Sequence, residues 1–402
     1  MIIGVDIRAL LESQLTGIGN YTLELLKHLL NLDHQSQYKL FNNSLKHPSQ
    51  ELMSFLKPLQ NVKLYSFRYP SKLLNASLTF IKRPFLDRLI GGADLFWFPN
   101  FNFWQVSDQC RTVITVHDLS FKRIPWVYSQ KMRRWHKFVN PQEKLRQADK
   151  IIVVSENTRK DLMEIYNLPS EKIEVIYPGV NLRPKTALAS LRPPAVRQWR
   201  RQCRAGQQGR PGTEDRISIR PREQLPNNFI LFLGTLEPRK NVEGVIQAFE
   251  KVSQEDLHLV IAGGKGWLYK KIYRLFCQSS VKDRIIFLDY VKPEERWQLY
   301  EKAQALIWPS FYEGFGFPPL EAMSVGCPVI TSVNSSLPEV VGEAALLVDP
   351  YNIQEIAAAI NQLLIDEKLR QNLISKGYEQ VKKYSWENSA QKMLEAFKSL
   401  VY

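Results

Sequence analysis

At 402 residues, 44% of them hydrophobic, the chain holds enough apolar material for two packed domains and is too hydrophobic to be disordered as a whole. Its four cysteines, Cys110, Cys203, Cys277 and Cys327, lie far apart with no CxxC pair, which argues against a disulfide framework or a zinc site and fits a reducing cytosol. The net charge of +14 raises the question of nucleic-acid binding, but residues 183–223 alone carry eleven Lys/Arg against three acids, or +8, and leave +6 for the remainder.

The N-terminus, MIIGVDIRALLES, has no basic stretch followed by an apolar core, so no leader is expected, and no apolar run approaches the ~18 residues of a membrane span. "MIIGVDI" reads as a strand. "TGIGNYTLELLKHLLNL" follows as a helix, with Leu23, Leu26, Leu29 and Leu30 at helical spacing. Gly17 and Gly19 open that helix as a candidate phosphate turn, although the full GxGxxG is missing. Residues 66–90 and 130–138 mix basic and large apolar side chains. Two readings stay open there: buried helices with snorkelling Lys and Arg, or a surface for anionic headgroups. Short apolar runs at 93–99, 111–118, 150–155 and 172–179 read as buried strands. His117 ends the second of these beside Asp118, either as a satisfied structural residue or as a ligand group at the strand's carboxyl edge. "SENTRKDLMEIYNL" reads as a helix capped by Ser155 or Asn157.

Residues 183–225 break the rhythm. They are rich in Arg, Pro, Gly and Gln and read as a flexible linker or insertion, with polyanion binding as the second reading. Strand–helix alternation then resumes at 229–234, 257–264, 283–291, 303–310 and 344–350. The fold class is therefore α/β, two Rossmann-like domains built from βαβ units, with ligands expected outside the carboxyl ends of the strands. In "LFLGTLEPRKN", Arg239 and Lys240 sit where a strand gives way to a helix, a placement that suits a diphosphate or, alternatively, a solvated turn. In "IWPSFYEGFGFPPLEA", a strand ends near Trp308, and Pro318 and Pro319 suit the first turn of a helix whose N-terminus attracts phosphate. Gly314 and Gly316 allow close approach of a ligand. Glu313 and Glu321, with seven residues between them, could accept from sugar hydroxyls or could each be ordinary strand-end and helix-start residues.

Taken together, "EGFGFPPLE", "GTLEPRKN", "TGIGNY", "VHDL", "VSENTRKDL" and "LPEVVGEAALLVDP" resemble the retaining nucleotide-sugar glycosyltransferases of family 4, over nearly the whole chain except residues 183–225. The resemblance implies the GT-B architecture, with two domains facing across a cleft. Residues 1–182 would form the acceptor domain, 183–225 the linker, 226–384 the donor domain, and 385–402 a helix crossing back to the N-terminal domain. It implies that Glu313 contacts donor sugar hydroxyls and that Glu321 holds the ribose. Arg239 and Lys240 would bind the diphosphate, with Gly316 and Phe317 lining the donor. Tyr290 and Val291 would meet the base, His117 the transferred sugar, and Gly17 and Gly19 the phosphate. The commoner family pattern has Arg where this chain has Thr235, and Arg239 is the expected replacement.

The implied activity is retaining transfer of a hexose, mannose first, to a saccharide or lipid-linked saccharide acceptor in cell-surface polysaccharide synthesis. No cofactor and no metal are implied. The donor expected is GDP-mannose, with UDP-hexose next. The expected location is cytoplasmic, with peripheral contact at an anionic inner membrane face left open as one of the two readings of residues 66–90 and 130–138, and no nucleic-acid partner is expected. The competing readings are an NAD-dependent oxidoreductase, which would want GxGxxG and an acidic residue ~20 positions on, and a GT-B-like binding protein without activity.

Overall fold

The structure, a computed structural model, describes residues 1–11, 15–44, 50–183, 196–198, 220–222 and 225–402. Two compact units result. The first takes Met1–Pro125, Gln130–Gly179 and Tyr384–Tyr402; the second takes Trp126–Ser129 and Val180–Lys383.

Seven strands build the sheet of the first unit: β1 (Ile2–Asp6), β2 (Gln37–Asn43), β3 (Val62–Phe67), β4 (Leu95–Phe98), β5 (Arg111–Val116), β6 (Lys150–Val153) and β7 (Ile173–Val175). They are all parallel, in the order β3-β2-β1-β4-β5-β6-β7. Strands covered by helices on both faces cannot alternate polar and apolar residues, and β4, "LFWF", is buried at every position. The helix Gly17–Leu32 lays Tyr21, Leu25, Leu26, Leu29 and Leu30 inward. Leu23, expected on that stripe, is only half-buried, because Tyr21 and Leu25 and not Leu23 fall in register with Leu29. Ser155 settles the open choice of cap. Its hydroxyl accepts from the Thr158 amide at 3.2 Å, so Asn157 lies inside the helix Glu156–Tyr166.

The last helix, Trp386–Val401, packs on Gly17–Leu32 in the same unit and buries Trp386, Met393 and Phe397. Gly179 makes this possible, since a Cβ there would lie 2.2 Å from the Trp386 amide nitrogen.

Within residues 183–225, read from sequence as a flexible linker, β8 (Val196–Gln198) and β9 (Arg220–Arg222) form a short antiparallel ladder. Most of the rest of that segment lies outside the described residues.

The second unit repeats the scheme with six parallel strands: β10 (Phe229–Leu233), β11 (His258–Ala262), β12 (Ile285–Leu288), β13 (Leu306–Trp308), β14 (Val329–Ser332) and β15 (Leu346–Val348). Their order is β12-β11-β10-β13-β14-β15. The order reverses direction between β10 and β13. The loops leaving those two strands therefore part to opposite faces and open a crevice at their carboxyl ends. Among the described residues no helix is long and apolar enough to cross a membrane.

Candidate functional site

The crevice beside β10 and β13 gathers residues that are some 70 positions apart in sequence. After β10 the chain reaches a short turn at Pro238–Lys240, and Asn241, left-handed at φ +56°, caps the helix Val242–Phe249. After β13 it runs through residues 310–315 into the helix Phe317–Ser324, with prolines in the first turn as expected. The Phe311 amide donates to the Arg239 carbonyl at 2.9 Å and ties the two loops together. Gly316 turns the chain at φ +123°, a conformation that a Cβ disfavours, and a Cβ there would also lie 2.8 Å from Leu337.

Glu313 is the hub of this crevice. Its side chain is 7% exposed. One carboxylate oxygen accepts from Arg239 Nη1 at 2.7 Å and the other from Lys240 Nζ at 2.6 Å. Arg239 Nη1 also reaches the Tyr312 carbonyl at 3.0 Å, and its Nε donates to Glu237 at 3.0 Å. The Lys240 ammonium sits 4.2 Å from the centre of the Trp308 ring, a cation–π contact. The loop carrying Glu313 is pinned from behind: its amide donates to Ser335 Oγ at 2.8 Å, and Ser336 Oγ donates to the Glu313 and Phe315 carbonyls at 2.9 Å.

The electrostatics follow from burial. It pushes Glu237 up, against the pull of Arg239 and Lys240, and pushes Lys240 down, against the pull of Glu313. Arg239 keeps its charge throughout, so the cluster retains a fixed cation at the crevice.

Glu321 lies one turn further along, 5% exposed. One of its oxygens accepts from the Tyr300 hydroxyl at 3.0 Å and the other pairs with Arg296 at 3.1 Å. Burial raises its pKa, and Arg296 opposes that shift. A carboxylate has about four acceptor positions, so two remain for other donors. Thr235 is exposed, and the guanidinium of this loop comes from Arg239. Phe317 packs its ring 5.3 Å from that of Phe315. Tyr290, 43% exposed, and Val291 follow the edge strand β12, with β11 between that strand and β10.

The other predicted site residues fall in the first unit. His117 follows β5, and Tyr21 of the helix Gly17–Leu32 meets its ring edge-on at 4.8 Å, so "TGIGNY" and "VHDL" come together there. His117 Nε2 lies 2.8 Å from the Pro99 carbonyl. A carbonyl only accepts, so Nε2 carries the proton and Nδ1 is left as an acceptor. Burial lowers the pKa of the ring, more than the Pro99 bond and Asp118 raise it, which favours the neutral form. Gly17 is exposed with nothing within 4 Å of a Cβ, whereas Gly19 is buried against Leu15 and the Ala9 carbonyl. Gly17 is thus the glycine open to a ligand, and Gly19 serves packing.

Sequence reasoning missed Glu237, Arg296, Tyr300, Ser335 and Ser336. Arg296 and Tyr300 did carry a signal, since residues four apart share a helix face. The two serines carried none.

The description "Glycosyltransferase Family 4" matches residues 15–183 and "Glycosyl transferases group 1" matches residues 214–380. The chain is 31% identical to O-antigen chain mannosyltransferase B of Escherichia coli over 96% of this chain and 97% of that one. It is 29% identical to O-antigen chain mannosyltransferase RfbU of Salmonella typhimurium over 69% of this chain and 67% of that one. Among solved structures it resembles sucrose-phosphate synthase of Thermosynechococcus elongatus (TM-score 0.70, 20% identity, 99% and 98% of the two chains covered). It also resembles Anabaena HepE in complex with UDP and glucose (TM-score 0.66, 17% identity, 99% and 100% covered).

Proposed function

The chain belongs to the family 4 glycosyltransferases of the GT-B fold, and from that premise we propose that it moves mannose from GDP-mannose to a saccharide or lipid-linked saccharide, with retention of configuration and without a metal. Two relatives named as O-antigen chain mannosyltransferases support the sugar and the setting, cell-surface polysaccharide synthesis. The family membership decides against an NAD-dependent oxidoreductase.

The observation that carries the reading is the convergence of Arg239, Lys240 and Glu313 at the point where the sheet order reverses. A nucleoside diphosphate sugar needs fixed cations at its phosphates and acceptors at its hydroxyls, and this crevice offers both within one hydrogen-bonded cluster. Arg239 and Lys240 meet the diphosphate, together with the amide ends of the helix Phe317–Ser324. Glu313 accepts from sugar hydroxyls and fixes the two cations. Glu321 takes the ribose hydroxyls on its remaining acceptor positions. Gly316 and Phe317 line the donor, and Tyr290 and Val291 meet the base.

The chemistry is a front-face displacement. The bond between C1 and the phosphate oxygen breaks, and its electron pair leaves with the nucleoside diphosphate. An acceptor hydroxyl attacks C1 from the same face, and its proton passes to the departing phosphate oxygen. Arg239, Lys240 and the helix N-terminus stabilise the negative charge that grows there. His117, with Nε2–H committed to Pro99 and the neutral ring favoured by burial, offers Nδ1 as an acceptor for a sugar hydroxyl.

The test is a thermal-shift screen of GDP-, UDP-, ADP- and dTDP-sugars in the presence of EDTA, on the wild type and on Glu321→Gln. Gln is preferred to Ala because it keeps an acceptor for Tyr300. GDP-mannose at ~100 times its dissociation constant should stabilise the wild type by about 2.7 kcal/mol and the variant much less. Stabilisation by a different nucleotide alone, or only after metal is added, would overturn the donor assignment.

A further inference from the structure

The +6 that remains outside residues 183–223 is not spread over the protein. Residues 66–90 and 130–138 together hold nine Lys/Arg against Asp87 alone, or +8. Set against +14 for the whole chain and +8 for residues 183–223, that leaves every other residue at a combined −2. The one acid in the two segments is occupied: Asp87 is buried and accepts from the Ser107 amide and hydroxyl at 2.8 and 2.6 Å.

The fold makes these segments neighbours in the first unit. The helix Ser71–Ala76 continues through a looser turn, Ser77–Ile81, and Leu78 and Thr79 of that turn line a pocket of about 200 Å³ with Lys137 and Phe138 of the helix Gln130–Val139. Lys82 reaches Glu143, just beyond that helix, at 3.3 Å. The side chains that point away from the core here are large and apolar: Leu73 is 69% exposed, Phe80 76%, Ile81 69% and Phe138 59%. Lys72, Lys82, Arg83, Lys131, Arg133, Arg134 and Lys137 are exposed around them. Surface hydrophobics scattered singly need no explanation. Four of them on two adjoining segments, ringed by cations in a protein whose other residues are net acidic outside residues 183–223, need one.

We propose that this face of the first unit docks on the surface of an anionic lipid bilayer. Phe80, Ile81 and Phe138 enter the headgroup layer, and the surrounding Lys and Arg lie at the phosphates. Charge complementarity singles out this occupant. A protein partner of ordinary composition would leave the ring of cations unmatched, and a nucleic acid would leave the aliphatic side chains Leu73 and Ile81 in water.

Flotation of the full chain with vesicles of phosphatidylcholine, with and without phosphatidylglycerol, tests the idea without using donor or acceptor, so its outcome is independent of the transferase reading. Binding is expected only with phosphatidylglycerol and should weaken with salt. The combined variant Lys131→Ala, Arg133→Ala, Arg134→Ala, Lys137→Ala should lower partitioning on the order of a hundredfold or more. Phe80→Ser with Phe138→Ser should lower it while leaving the salt dependence intact. All six side chains are exposed, so the melting temperature should not change. Equal binding to both vesicle types, or anionic binding that survives both variants and so resides in the cations of residues 183–223, would overturn the proposal. So would a surface that instead self-associates or retains an RNA oligonucleotide with no affinity for vesicles.

Discussion

Glu313 shows at the scale of one residue how recognition and stability share a carboxylate. Two cations, 14% and 12% exposed, depend on it. Removing one partner of a buried ion pair strands the other in low dielectric. Glu313→Ala should therefore lower folding stability by roughly 3–5 kcal/mol in a urea titration as well as abolish transfer. Glu313→Gln, which still accepts one bond, should lose activity with a smaller loss of stability. His136 provides a pH test away from this crevice. Its ring stacks on Phe121 with centroids 4.1 Å apart, and burial lowers its pKa to about 4, with the Asp118 charge opposing. The folded protein resists protonation there until about pH 4, while the unfolded chain takes the proton near 6.5. Between those values the unfolded state binds more protons, so stability falls as pH drops through that window, by about 3 kcal/mol in all. Chemical denaturation across that range should show the slope, and His136→Phe, which keeps a stacked ring, should flatten it.

At the scale of the element, caps and turn residues set where helices begin and hence where functional groups stand. Ser155 N-caps Glu156–Tyr166 and is fully buried, so Ser155→Ala should cost about 1 kcal/mol, read as a shift in the denaturant midpoint. The same logic makes the second crevice loop partly legible in sequence: Pro318 and Pro319 suit the first turn of a helix and place Glu321 about one turn inside, while the structure shows that Gly316 is its cap. The helix Gly17–Leu32 was legible as a helix but not in its facing. Leucine spacing alone drew in Leu23, whereas an aromatic, Tyr21, completes the buried stripe and meets His117.

For the whole molecule, the assignment of the last helix is a tertiary matter. Residues 384–402 follow the second unit in sequence but belong to the first. There Phe397 is fully buried, 6.1 Å from the Trp97 ring between centroids. Phe397→Ala should destabilise by about 3–5 kcal/mol, measured as a loss in urea resistance, and should leave nucleotide binding by the folded protein unchanged because the donor cluster lies in the other unit. The net charge is likewise a property of placement. A count gives +14, and only the fold shows that two segments 40 residues apart pool their cations on one surface.

What the sequence determined by itself are the features whose causes are local. Apolar runs alternating with helical periodicity specify parallel α/β sheets, and glycines, prolines and charged residues at strand ends mark candidate ligand loops, because turn and cap chemistry acts over three or four residues. The tertiary structure alone decided which loops meet. Arg239 and Glu313 are 74 residues apart and become bonded because β13 pairs with β10 rather than with β12, a choice made by packing both faces of a sheet at once. For the same reason Glu321 finds Arg296 and Tyr300, His117 finds the Pro99 carbonyl that fixes its tautomer, and Gly19 turns inward while Gly17 stays open. Strand order is a long-range, cooperative outcome of burial, and no window of a few residues contains it.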